Sequence, residues 1–311
     1  MTISTGDRVM ARKRIIAVGH AALDYVYRID KFPSSATKMR ALDHVTSGGG
    51  MAANAAAAIA RLGADVSLWA RIGDDPAGGI IRNQLHAVGV GVSHVRAFHG
   101  VPSATAAVIV DGRGERLVVS EDDHEFPLAP DWLPISDVDA ADAVVSDLTW
   151  LEGTVAAFSA ARDRDVPTIL DIDLNSGQLL AKVIGLADFA IFSAPAFRKF
   201  LEGGSDEDRL TRLVHAGIRH AGVTLGARGY LWAARGGEHG RQPAFPVKVV
   251  DTTGAGDAFH GAFAWCLAAG YADQECARFA SAVAAMSCTG LGARSGLPTR
   301  EDVDRFLARS A

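Results

Sequence analysis

The stretch that decides the fold is "VVDTTGAGDAFHGAFAWCLAAG", Val249 to Gly270. It reads as a strand, a turn of small residues, and then a helix. Glycines at 254 and 256 let the backbone approach a ligand closely and take positive φ. A helix beginning near Gly256 leaves its first amides unpaired and places the positive end of its dipole there. Such an end holds a phosphate-like anion. Asp257 beside it has two readings. As a helix N-cap it contributes about 1 kcal/mol. As a base it aims a hydroxyl at an anion gripped by the amides of Gly254, Ala255 and Gly256. A carboxylate of low pKa can do this, because the proton leaves late in a loose transfer of a phosphoryl group. The cap alone does not account for the three small residues before Asp257, nor for Asp251, Thr252 and Thr253.

Upstream, the chain repeats strand, helix, strand. "AVVSDL" precedes a helix over 155–164, "TILDID" a helix over 177–184, and "FAIFS" a helix over 196–201. "AGVTLG" then leads into a hairpin around "ARGYLWAARGG". Near the start, a strand over 15–18 and another over 66–70 flank an alanine-rich helix over 52–62, and a further helix spans 78–88. This rhythm predicts an α/β fold, a doubly wound, mostly parallel sheet with helices on both faces. Two β-rich inserts interrupt it, at about 24–47 and 101–121. The second contains Asp-Gly between two β-rich runs, a hairpin signal. The pair is read as a small β-sheet lid over one large domain, 13–311, behind a tail over 1–12.

The chain has 311 residues, 49% hydrophobic and 22% charged, with a net charge of −5. That balance, without a basic stripe, argues against nucleic acid as a partner. No run reaches the ~18 apolar residues of a membrane span. Cys266, Cys276 and Cys288 lack metal-site spacing and are read as buried thiols of a cytoplasmic protein. The opening "IIAVGHAALD" begins like a dinucleotide fold but lacks GxGxxG, so a nicotinamide-dependent oxidoreductase is set aside.

Two long signatures carry a family resemblance. "DTTGAGDAFHGAFA" resembles the C-terminal signature of the ribokinase-like, or PfkB, carbohydrate kinases. "GGGMAANAAAAIARLGADVSLWARIGDD", Gly48 to Asp75, resembles their N-terminal one. The resemblance implies a sugar kinase that uses ATP and Mg²⁺, with K⁺ in many members. It implies Asp257 as catalytic base, with Gly254, Ala255 and Gly256 as anion hole. It places Asp24, Gly49, Gly50 and Asn54 on the sugar, and Thr224, Gly226 and Gly229 near the nucleotide. Asp251 and Thr253 correspond to part of a monovalent-cation loop. It also implies a homodimer through the lid. Local readings stand beside these: Asp24 as a turn residue, Asn54 as a helix cap, and Asp171 and Asp173 either as caps or as contacts to magnesium through water. One departure is clear. Where many relatives carry Asn-x-x-Glu, "FSAPAF" has Ser193 and Ala196.

Within the family the phrases "VDGRGERLVV" and "SCTGLGARSGLP" bring the chain closest to the bacterial sulfofructose kinases. Those enzymes read the sulfonate with an arginine in the segment matching "SDLTW" and an asparagine at the end of the lid hairpin. Thr149 and Ser120 stand there and bring no charge; Arg28, Lys38, Arg40 and His124 are the lid cations that could replace it. The expected reaction is ATP-dependent phosphorylation of a sugar or sugar-like primary alcohol, ketose or sulfofructose-like. The alternatives are a nucleoside kinase, with Tyr25, Tyr27 and Phe98 as its base slot, and a non-catalytic sugar or nucleotide sensor.

Overall fold

A computed structural model describes residues 12–121, 125–174 and 179–310. The expected tail up to residue 11, His124 and the start of the helix expected over 177–184 lie outside them. In chain order the elements are β1 (Arg14–Gly19), β2 (Ala22–Arg28), β3 (Asp43–Gly49), α1 (Met51–Arg61), β4 (Asp65–Gly73), α2 (Pro76–Ala87), β5 (Val95–Phe98), β6 (Ala104–Val110) and β7 (Arg116–Glu121). The second half carries β8 (Ala143–Ser146), α3 (Leu151–Arg162), β9 (Thr168–Ile172), α4 (Leu180–Val183), β10 (Phe189–Ser193), α5 (Ala194–Phe200), α6 (Asp206–His215), β11 (His220–Thr224), β12 (Tyr230–Ala234) and β13 (His239–Gln242). Three helices close the chain, α7 (Ala255–Ala268), α8 (Asp273–Ser287) and α9 (Arg300–Arg309).

Nine strands form one sheet in the order β13-β12-β11-β10-β9-β8-β1-β4-β5. From β5 to β11 all neighbours are parallel; β12 and β13 add an antiparallel edge. Strands buried on both faces read as apolar runs, and successive side chains supply opposite cores. In β1, Ile15 and Ala17 pack with α1, α7 and α8, while Ile16 and Val18 pack with α3 on the other side. The parallel strands therefore end together along one edge, and the loops leaving that edge are where such sheets bind ligands.

The second sheet has the order β3-β2-β6-β7 and is the lid expected from the two inserts. Its inner residues Val26, Ala106, Val108 and Val110 form a small core with Val45 and Leu291. The hairpin tip between β6 and β7 reaches the segment before α7, where Arg116 Nη1 donates to Thr252 Oγ1 at 2.6 Å.

One local expectation fails. Val249 and Val250 do not form a strand: the Val250 and Asp251 amides both turn to the Cys288 carbonyl, at 2.8 and 3.2 Å, so the segment is tied to the end of α8 instead of to the sheet. The cysteines are free and buried. Among the described residues no helix is long and apolar enough to cross a membrane.

Candidate active site

α7 starts one residue earlier than the sequence suggests, and its N-cap is Gly254, in the left-handed region at φ 74°. A Cβ there would stand 2.6 Å from that of Ala293, so glycine is required twice over. The Ala255 amide turns back to Thr252 O at a long 3.3 Å. Among the described residues the amides of Gly254, Gly256 and Asp257 donate to no protein acceptor. The turn thus keeps three N–H groups available, two of them at 254 and 256 as the resemblance implied.

Asp257 lies in the first turn of α7 and its side chain caps no helix amide, which removes the N-cap reading. Its Oδ2 instead accepts from Asn54 Nδ2 at 2.8 Å. Asn54 is not a cap either. It is buried on α1, whose N-cap is Gly50 at φ 86°. Glycine is needed there too, because a Cβ would press on the His20 carbonyl. At Gly49 a Cβ would collide with the Asp24 carboxylate. Asp24 is buried on β2, opposite Ser47 and Ala106, which excludes an exposed turn role. Asp24, Gly49, Gly50, Asn54 and Asp257 are therefore brought together at the edge where lid and main sheet meet.

Burial raises the Asp257 carboxyl to about 7, with Asn54 acting against it and Asp147 and Asp173 reinforcing it. Burial also raises Asp24 to about 6, opposed by Arg294. Desolvation is the dominant cause in both. One helical turn past the base, His260 Nδ1 lies 2.7 Å from Gly256 O and 3.3 Å from Asp171 Oδ2. Burial lowers His260 to about 4, so its imidazole is neutral at neutral pH, and burial raises the Asp171 carboxyl well above the usual carboxylate range.

On the nucleotide side, β11 ends at Thr224, whose hydroxyl donates to Phe192 O at 3.3 Å. Gly226 at φ 59° and Gly229 at φ 89° bound a tight turn closed by Leu225 N to Gly229 O at 2.7 Å. This loop leaves the carboxyl end of the parallel strands, beyond β11. Asp251 is fully buried: its Oδ1 accepts from Thr253 N at 2.8 Å and Thr253 Oγ1 at 2.7 Å, and its Oδ2 from Gly292 N at 2.8 Å. These bonds shape the loop before the turn. Ser193 caps α5 and donates to Asp173 Oδ1 at 2.7 Å, so it joins the ends of β9 and β10 where Asn-x-x-Glu is missing.

Three residues that bear on the site carry no local signal. Asp147, buried after β8, accepts from the amides of His20, Ala52 and Thr149, each at 2.9 Å, and from Thr149 Oγ1 at 2.5 Å. It ties β1, α1 and β8 at the acceptor end. Arg71 lies over the Trp150 ring at 4.7 Å and donates to Thr149 O at 3.3 Å. Arg294 donates to Asn54 Oδ1 at 2.8 Å and to Gly49 O at 3.1 Å. Tyr25 and Tyr27 alternate with the buried Asp24 and Val26, so they face away from Asp24 and build no base slot beside it. Phe98 packs against Phe126, Trp132 and Arg96.

The model of the pfkB family of carbohydrate kinases matches residues 12–300. A ribokinase of Bacillus subtilis (strain 168) is 31% identical over 300 residues, covering 95% of this chain and all of that protein. The crystal structure of a provisionally named ribokinase from Agrobacterium tumefaciens is 32% identical, covers 96% of this chain and 98% of its own, and superposes with a TM-score of 0.90. Arabidopsis thaliana ribokinase, solved with ribose and ATP, is 25% identical with a TM-score of 0.82, covering 96% of this chain and 99% of its own.

Proposed function

The chain belongs to the pfkB family of carbohydrate kinases, and from that premise we propose that it transfers the terminal phosphoryl group of ATP to a primary hydroxyl of a sugar bound under the lid. The observation that carries the residue assignment is the Asp257–Asn54 pair beside three unpaired amides at the start of α7. Asp257 accepts the hydroxyl proton as that oxygen bonds to phosphorus and the bond to the ADP leaving group breaks. The free amides stabilise the charge on the transferred group. Asp24, Asn54 and the backbone of Gly49 and Gly50 orient the acceptor. Thr224, Gly226 and Gly229 receive the nucleotide, a reading consistent with the ATP in the Arabidopsis structure.

Magnesium would neutralise phosphate charge. Asp173 and Asp171 at the end of β9 suit it through water, since Mg²⁺ draws most of its oxygens from phosphates and solvent. Asp251 and Thr253 remain the expected potassium loop; activity in KCl against choline chloride decides this.

The finer acceptor reading is a ketose or a sulfonated ketose. Thr149 and Ser120 supply no charge, yet Arg71 lays its guanidinium against the Thr149 carbonyl. Arg71 is partly buried, and burial lowers it to about 10, so it remains a cation. A guanidinium is the group that pairs best with an anionic oxygen fork. The lid also supports a homodimer: Tyr25, Tyr27, Leu117 and Val119 share its outer face and are 39–61% exposed.

The test is ADP formation from ATP and Mg²⁺ with ribose, fructose, sulfofructose, other sugars and nucleosides. Turnover on a sugar, abolished by Asp257→Asn with sugar binding kept, supports the reading. Sugar binding without turnover throughout the panel removes it.

A further inference from the structure

Arg294 sits in the loop after α8, 240 residues from Asn54 along the chain. Its guanidinium is a planar fork of donors with no acceptor of its own. Nε is spent on Asn54 Oδ1 and Nη2 on Gly49 O. Nη1 is buried and has no hydrogen-bond partner. A Cβ on Gly48 would collide with this guanidinium, so the sequence keeps glycine at 48 to admit it.

We propose that Arg294 is a positioning residue for phosphoryl transfer: by fixing the sense of the Asn54 amide it holds the Asp257 carboxylate in its reactive orientation, and by gripping Gly49 it ties that orientation to the acceptor turn. This rests on the reading of Asp257 as the base. A primary amide presents a donor end and an acceptor end, and a half-turn exchanges them. Against Asp257 only the donor end is favourable. Arg294 can be satisfied only by the acceptor end, so its presence forces Nδ2 toward Asp257, where it stands at 2.8 Å. A lysine has a point charge on a flexible stem and cannot make both bonds in one plane. Desolvation lowers Arg294 to about 10, with Asp24 and Asp257 acting to hold it charged.

Other charges reach Asp257 from every side. Asp147 and Asp173 come from the ends of β8 and β9, Asp171 from β9 itself, and Arg116 from the lid. On α7, His260 is neutral near pH 7. Among the described cations, Arg116 acts on Asp257 through space, while Arg294 bonds the Asn54 amide whose Nδ2 donates to Asp257. Loss of Arg294 should disfavour the ionised base and leave the other groups in place.

The experiment has two arms. The first measures kcat/KM from pH 5.5 to 9.5 for wild type, Arg294→Lys and Arg294→Met, with ATP, Mg²⁺ and the sugar that turns over in the panel above. The second follows the ¹³Cγ resonance of Asp257 through a pH titration without substrate, assigned by its absence in Asp257→Asn. In both variants the acid limb and the Asp257 midpoint should rise together by about one pH unit. That is roughly a tenfold loss at pH 6 and under twofold at pH 9. Most of the rise should vanish when Arg294→Met is placed on Asn54→Ala. A uniform loss at all pH values with an unmoved Asp257 midpoint overturns the proposal, as does an undiminished rise on Asn54→Ala. If Arg294→Met does not fold, Arg294→Lys carries the same comparison. If no sugar turns over, the kinase reading fails, while the resonance titration still decides the role of Arg294.

Discussion

Asp257→Asn should make the protein more stable at high pH while removing its activity. Asp257 is raised from 3.8 to about 7, chiefly by burial. A carboxyl raised in the folded state contributes most below 3.8, where both states are protonated. That contribution falls as pH rises through the folded value, because the unfolded chain then ionises first. The full shift of about 3 units corresponds to about 4 kcal/mol at 1.36 kcal/mol per unit. The residue is only half-buried, so screening reduces the part lost between pH 5 and pH 8 to about 1–2 kcal/mol. Asparagine keeps an oxygen for Asn54 and does not titrate. Urea unfolding at the two pH values should therefore show the variant gaining on wild type by that amount as pH rises. Turnover at pH 8 should fall by about 10²–10⁴. A stability gap that stays constant or closes with pH would refute the assignment of burial as the cause. Retained turnover would refute the catalytic role.

Gly229→Ala forces a side chain onto φ 89° and against Gln242 O, so the turn should shift; the KM for ATP should rise more than about fivefold with the sugar KM unchanged. Asp147→Ala removes the acceptor that the His20, Ala52 and Thr149 amides share, of which Ala52 is buried, and urea unfolding should report a loss of about 2–3 kcal/mol with Asp147→Asn milder. Leu117→Lys with Val119→Lys places charge on the outer lid face, and light scattering should show a dimer becoming a monomer whose sugar-dependent turnover is reduced.

The legible part of the site is the part whose geometry is local. A turn such as 254–257 must be written with glycine wherever φ is positive, and Gly226, Gly229 and Gly50 follow the same rule. The sheet was legible because its strands are buried on both faces, and the lid because Asp-Gly marks its hairpin. Asp147 and Arg294 carry no such mark: Asp147 meets Ala52 from 95 residues away and Arg294 meets Asn54 from 240. An aspartate before a helix and an arginine in a glycine-rich loop look like surface residues until the fold closes. The misjudged strand at 249–250 has a similar origin. Two valines in a row signal β-structure, but their partner is a helix end and not a sheet.

Asp147, Asp173 and Asp257 gather at one rim of the main sheet around Asp171, whose carboxyl all three push up. Such a rim repels a naked polyanion, and the three free amides of the turn offset only a little of that field. Nucleotide stripped of its divalent counter-ion should thus be turned away at the door, and calorimetry with ATP in EDTA should give far weaker binding than with Mg²⁺. The same acidity that readies the acceptor makes this protein a discriminator of the donor's ionic form.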